Sequence, residues 1–73
     1  MNETLDLRGL KCPLPALFAK RALHGVPRGT PIEIVTDDPL AAVDVPHMCR
    51  HENFEIVSLA RDGDLARMVL RKA

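Results

Sequence analysis

The stretch Leu5–Gly25, LDLRGLKCPLPALFAKRALHG, joins a strand pattern to a helix pattern through two closely spaced prolines. Its first residues alternate leucine with polar side chains, as a half-buried strand does, and Gly9 ends the alternation. From Pro13 onward the apolar spacing becomes helical, and Gly25 stands where helices commonly end. The stretch therefore predicts a strand followed by a helix over residues 13–24.

The two sides of this predicted helix differ in polarity. The side expected to face a core carries, in chain order, Leu14, Pro15, Phe18, Ala19, Ala22 and Leu23. The opposite side carries Lys20, Arg21 and His24, and Leu17 lies among these cations. We therefore expect the first side to be buried and the second to be exposed.

The middle of the chain predicts a second strand and a second helix. Thr30–Thr36 is rich in β-branched residues and has its proline only near the beginning, which a strand tolerates. Asp38 before Pro39 is typical of a helix N-cap and first helical residue, so a second helix is predicted from there toward Arg50. Pro46 lies inside this segment and is expected to bend or split the helix.

The last third of the chain predicts a β-hairpin. Phe54–Ala60 and Leu65–Lys72 both have strand patterns, and the Asp-Gly pair at 62–63 suits a tight turn between them. The order β-α-β-α-β-β predicts an α+β fold, a two-layer α/β sandwich with two helices on one face of a four-stranded mixed sheet. The other face of the sheet is expected to carry Arg67 and Arg71 and to be open to water or to a partner.

Composition and charge argue against several classes of protein. Seventy-three residues with 47% apolar content predict one domain covering residues 1–73. Ten basic and ten acidic residues leave no net charge, which argues against direct binding of nucleic acid. The N-terminal MNETLDLRG lacks the features of a signal peptide, and no apolar run is long enough to span a membrane, so a cytoplasmic location is expected.

Cys12 stands directly before the two prolines and has two interpretations. If Cys12 is the helix N-cap, Pro13 and Pro15 contribute no N–H groups, and the amides of Leu14 and Ala16 remain free. These amides and the helix dipole would stabilise a thiolate and lower the pKa of Cys12, which predicts a reactive cysteine. The alternative is that Cys12 is a small buried packing residue.

Cys49, between His47 and His51, suggests a metal site or a redox partner for Cys12. On a helix the two histidines share one side and Cys49 points to the other, so no metal site is expected. We expect structural or incidental roles for these three residues. A redox sensor in which Cys12 and Cys49 form a disulfide stays open as an alternative.

Three segments, LDLRGLKCPLP, DDPLAAVDVPHMC and RMVLRK, together resemble the TusA/SirA-like sulfur carrier family, whose hallmark is Cys-Pro-x-Pro at the start of the first helix. The resemblance covers Leu5 to Lys72 and implies a two-layer α/β sandwich. It also implies that Cys12 carries sulfur as a persulfide, loaded by a cysteine desulfurase or a rhodanese-like protein and passed to an acceptor protein. The acceptors of this family serve tRNA thiolation, molybdenum cofactor assembly or dissimilatory sulfur metabolism, and no cofactor is implied.

The resemblance also assigns roles around Cys12. Pro13, Leu14, Pro15 and Ala16 would shape the site, and the partner-docking residues would be Lys11, Leu17, Lys20, Arg21, His24 and Asp38. Leu14 occupies the variable motif position, where carriers for tRNA thiolation have an acid, so the pathway stays open. A regulatory or protein-interaction module that uses the open sheet face, and not the thiol, is the alternative function.

Overall fold

The computed structural model describes residues 3–72, and the elements follow the predicted order. They are β1 (Glu3–Asp6), α1 (Leu14–His24), β2 (Pro31–Thr36), α2 (Ala41–Glu52), β3 (Phe54–Asp62) and β4 (Leu65–Lys72). The strands form one sheet in the order β1-β2-β4-β3. Strands β1 and β2 are parallel, and the other two pairs are antiparallel, which confirms the predicted α+β fold with a mixed sheet.

Alternation along β4 separates a helix-covered face from an open face. Ala66, Met68 and Leu70 are buried and belong to the core cluster, as the sequence predicts. Arg67 points the other way, as predicted, and its guanidinium lies 3.8 Å from the Glu33 carboxylate. The helices add most of the remaining core, and their buried apolar residues are Ala19, Leu23, Ala41, Val45 and Cys49.

The two helices lie side by side and run in the same direction. Near their last turns the Glu52 carboxylate of α2 accepts from Lys20 at 3.4 Å and from His24 at 3.2 Å, both on α1. At the other end, Cys12 just before α1 contacts Asp44 in the first turn of α2. Both helix N-termini therefore lie at one end of the molecule, where β1 and β2 also finish.

The second helix begins later than predicted and is not split. It starts at Ala41, because the Asp38 carboxylate accepts the N–H of Leu40 at 3.3 Å and closes a turn before the helix. Pro46 lies inside one continuous helix, Ala41–Glu52, so of the two predicted effects, a bend or a split, the split is wrong. Proline has no backbone N–H, so Pro46 leaves one helical hydrogen bond unmade. Burial of Val45 and other residues of the same side against the sheet keeps the helix continuous there.

The hairpin turn also differs from the prediction by one residue. Asp62 pairs with Leu65, so Gly63 and Asp64 form the two-residue turn. Gly63 has a φ of 60°, a left-handed conformation that favours glycine. Among the described residues, no helix has the length and apolar character needed to cross a membrane.

Candidate functional site

Cys12 lies in the loop between β1 and α1, and its side chain is exposed. The interpretation of Cys12 as a buried packing residue is therefore wrong. The N-cap of α1 is Pro13, so Cys12 stands one residue further from the helix than predicted. The Leu14 N–H was expected to face the sulfur of Cys12. It donates instead to the Lys11 carbonyl at 2.8 Å.

Two aspartates after β2 hold the loop that carries Cys12. Asp38 Oδ2 accepts the backbone N–H of Cys12 at 2.6 Å, and Asp37 Oδ1 accepts the N–H of Gly9 at 3.0 Å. Gly9 has a φ of 85°, so the turn before Cys12 needs a residue that tolerates the left-handed region. Asp38 was predicted to be a partner-docking residue. In the structure its carboxylate fixes the backbone of Cys12.

The thiol of Cys12 donates a hydrogen bond to Oδ2 of Asp44, in the first turn of α2. This bond is the main reason that the pKa of Cys12 is raised, followed by desolvation and by the negative charges of Asp44 and Asp38. The prediction of a lowered pKa is therefore wrong for the unloaded protein. Arg8, one of the nearby cations in the sequence, does not offset these charges at the thiol, because its guanidinium is paired with Asp6 at 2.7 Å.

The outward side of α1 is more apolar than predicted. Leu14 and Phe18 were expected in the core, but they are 39% and 40% exposed, next to Leu17 at 50%. Only the narrow row Pro15, Ala19 and Leu23 is buried, because this row at four-residue spacing meets the sheet and the second helix. Leu14, Leu17 and Phe18 therefore form an exposed apolar row that begins two residues after Cys12.

A second exposed apolar pair lies at the start of α2, close in sequence to the Asp44 that contacts the thiol. Leu40 and Val43 are 57% and 65% exposed, and Leu40 stands one helical turn before Asp44. We call these two residues, together with Leu14, Leu17 and Phe18, the cysteine-flanking surface. Sequence reasoning predicted only Leu17 to be exposed here, although the spacing of Leu40 and Val43 from the buried Ala41 and Val45 was a signal for the second pair.

The remaining docking candidates lie at different places relative to Cys12. Lys11 and Arg21 are exposed, and Arg21 follows Leu17 and Phe18 on the same side of α1. Lys20 and His24 are paired with Glu52 at the far end of the helices. Lys11 and Leu17 therefore lie nearer Cys12, whereas Lys20, Arg21 and His24 lie in the second half of α1, farther from the thiol.

Cys49 is fully buried in the core, where burial raises the pKa of its thiol to about 11. Its position is the one expected of a packing residue. Within residues 3–72 both cysteines are free thiols, and no group of three or more His, Cys, Asp or Glu side chains could hold a metal ion. His47 and His51 are exposed on α2.

Two comparisons bear on the family. A family model described as sulfurtransferase TusA matches residues 3–72, which is nearly the whole chain. The solved structure of a SirA-like protein from Desulfitobacterium hafniense is similar with a TM-score of 0.80, at 20% sequence identity over 97% of this chain and 96% of that chain. The structural likeness supports the fold, and the family match extends over the loop with Cys12 and both helices. On this evidence the chain belongs to the TusA family of sulfurtransferases and has a general role in sulfur transfer.

Proposed function

We propose that this protein accepts sulfane sulfur as a persulfide on Cys12 and relays it to an acceptor protein. The observation that carries the proposal is the exposed thiol at the joint end of two helices, flanked by exposed apolar side chains, in a TusA-family chain. A carrier must present its sulfur to two different proteins in turn. An open surface around the reacting atom suits this task better than an enclosed pocket.

The loading step balances without an external oxidant. The Cys12 sulfur attacks the outer sulfur of a donor persulfide, a new S–S bond forms, and the donor's own S–S bond breaks. The electron pair of the broken bond leaves on the donor sulfur, which takes up the proton that Cys12 loses. Delivery to an acceptor thiol is the same exchange with Cys12 as the leaving group, so the carrier returns to its starting state.

Docking is assigned to the surface around the thiol. Lys11 and Leu17 are the predicted partner-docking residues that lie toward Cys12, and the cysteine-flanking surface extends them with apolar area. Pro13 and Pro15 shape the start of α1 beneath it. Lys20, Arg21 and His24 remain candidates only for a partner that reaches along the whole helix.

The donor class proposed is a cysteine desulfurase or a rhodanese-like protein, and the acceptor is a protein of a sulfur relay. The pathways implied are tRNA thiolation, molybdenum cofactor assembly or dissimilatory sulfur metabolism, and Leu14 at the variable motif position does not favour the first. The proposal also includes a cytoplasmic location and a single domain that covers residues 1–73.

A labelled-sulfur chase tests the relay. The protein is charged with radiolabelled sulfur, once by a cysteine desulfurase and labelled cysteine and once by labelled polysulfide, and is then mixed with a thiol acceptor. We expect the label to bind wild type and Cys49→Ala, to be absent from Cys12→Ser, and to leave on addition of the acceptor. Label that stays on the wild type after acceptor is added would show a dead-end adduct and refute the relay.

A further inference from the structure

The hydrogen bond from Sγ of Cys12 to Asp44 can exist only while the carrier is empty. In the structure the hydrogen on Cys12 Sγ is donated to Asp44 Oδ2. When Cys12 is persulfidated, Sγ is bonded to carbon and to the outer sulfur and carries no hydrogen. The reacting outer sulfur then lies about 2 Å beyond Sγ, one S–S bond length away.

We propose that Asp44 is a positioning residue that holds empty Cys12 in the thiol form, and that loading with sulfur releases the site from this restraint. The inference rests on the proposed carrier function, since it distinguishes the empty form from the loaded form. It assigns the two forms of one cysteine opposite reactivities. The empty thiol reacts slowly with small electrophiles in solution and gives up its proton only in the exchange with a docked donor, whereas the loaded persulfide is free to ionise and react.

The charged groups around the thiol support this assignment. Asp44 from α2 accepts the thiol hydrogen, and Asp38 from the loop after β2 holds the Cys12 backbone N–H and adds a second negative charge. Lys11 precedes Cys12 in its own loop and is exposed to water, which weakens its charge at the sulfur. Both carboxylates disfavour an adjacent thiolate, and the pKa of Cys12 is raised accordingly.

The restraint has a chemical use in an exposed cysteine. Thiolates are the forms that react with peroxide, disulfides and alkylating agents, so an exposed cysteine with a lowered pKa is readily oxidised. An empty carrier that is not bound to a donor is less readily oxidised or alkylated if its thiol stays protonated. A hydropersulfide is more acidic than a thiol, so the loaded form ionises more readily even beside the same carboxylates.

The test follows the pH dependence of alkylation of the empty protein by iodoacetamide. Replacement Asp44→Asn should move the midpoint of the rate profile to lower pH and raise the rate several-fold at neutral pH. Each pH unit of this shift raises the thiolate fraction about tenfold. A less basic thiolate is also a weaker nucleophile, so its intrinsic rate constant falls roughly threefold and the net gain is smaller than tenfold. Asp44→Glu, which keeps a carboxylate, should restore most of the slow reaction.

The matched control is Glu55→Gln, which also removes one negative charge. Glu55 pairs with Arg71 at the start of β3, at the end of the sheet away from Cys12, so its profile should follow wild type. Far-UV circular dichroism checks that every variant is folded, and Asp44→Ser provides a second neutral replacement if Asp44→Asn is not. A wild-type profile in a folded neutral variant would overturn the proposal.

A second arm separates this inference from the carrier function. Wild type and Asp44→Asn are charged with polysulfide, and the alkylation rates of their outer sulfurs are compared. We expect equal rates in the loaded form and unequal rates in the empty form, whereas equal acceleration of both forms would overturn the selective role of Asp44. The empty-form measurement uses no donor, so it stands even if the labelled-sulfur chase refutes the relay.

Discussion

Asp44 binds the Cys12 thiol although 32 residues separate the two in the chain. The contact arises because α1 and α2 run side by side with their N-termini at the same end. Asp44 occupies the first turn of α2, where a carboxylate also suits the positive end of the helix dipole. The raised pKa of Cys12 is therefore caused first by a residue that the packing of two helices brings close, and not by the residues next to it in sequence.

Asp38 is expected to stabilise the fold through the loop that it holds. Asp38→Ala removes the acceptors for the N–H groups of Cys12 and Leu40, and we expect it to lower the free energy of unfolding by about 1–2 kcal/mol. Urea unfolding measures this change, and Asp38→Asn should lose less because one acceptor oxygen remains. Equal midpoints for wild type and Asp38→Ala would show that these bonds contribute nothing.

The exposed row on α1 is expected to contact the sulfur donor. Leu17→Asp should slow loading by a protein donor about tenfold, because a charge in a docking surface costs on the order of 1–2 kcal/mol of binding free energy. Its loading by polysulfide should be unchanged, since no docking is needed. The matched control is Val57→Asp on β3, since Val57 is 49% exposed and Leu17 is 50%. Equal rates for the two variants with the protein donor would argue against this docking surface.

Cys49 is expected to make the fold weaker in alkaline solution. Its pKa is raised from 9.0 to about 11 in the folded state, so the unfolded chain loses this proton first and stability falls as pH rises through that window. The loss approaches roughly 2–3 kcal/mol if the whole shift is expressed. Cys49→Ala should be about 1 kcal/mol less stable at neutral pH, from the lost packing, but should lack this alkaline decline.

Urea unfolding of wild type and Cys49→Ala at a series of pH values measures the difference. All other side chains are the same in both proteins, so their contribution to the pH dependence cancels in the comparison. Parallel curves from about pH 8 to about pH 11 would contradict the burial account of Cys49.

The sequence predicts the sheet well because the alternation of apolar and polar residues along a strand indicates which face is buried. On β4 the alternation of Ala66, Met68 and Leu70 with arginines allows only one face to be buried. The first helix is harder, because apolar residues cover more than half of its circumference. Nothing local distinguishes the row that contains Ala19, which is buried, from the row that contains Phe18, which is exposed.

The exposure of Cys12 is predictable from the sequence, but the charges around it are not. The two prolines after Cys12 mark the cysteine at the start of a helix, and the structure confirms that it is exposed there. Its partner Asp44 looks like an ordinary residue of a second helix. A hydrogen bond across 32 residues depends on how the helices pack, and local patterns such as capping and the dipole carry no information on that.

Intact mass spectrometry after sulfur loading tests the central claim most directly. Wild type, Cys12→Ser and Cys49→Ala are incubated with a cysteine desulfurase and cysteine, and in parallel with polysulfide, and are then weighed with and without reductant. The account predicts the added mass of one sulfur atom on wild type and Cys49→Ala, removed by reductant, and none on Cys12→Ser. Added sulfur on Cys12→Ser, or none on wild type from either source, would contradict it.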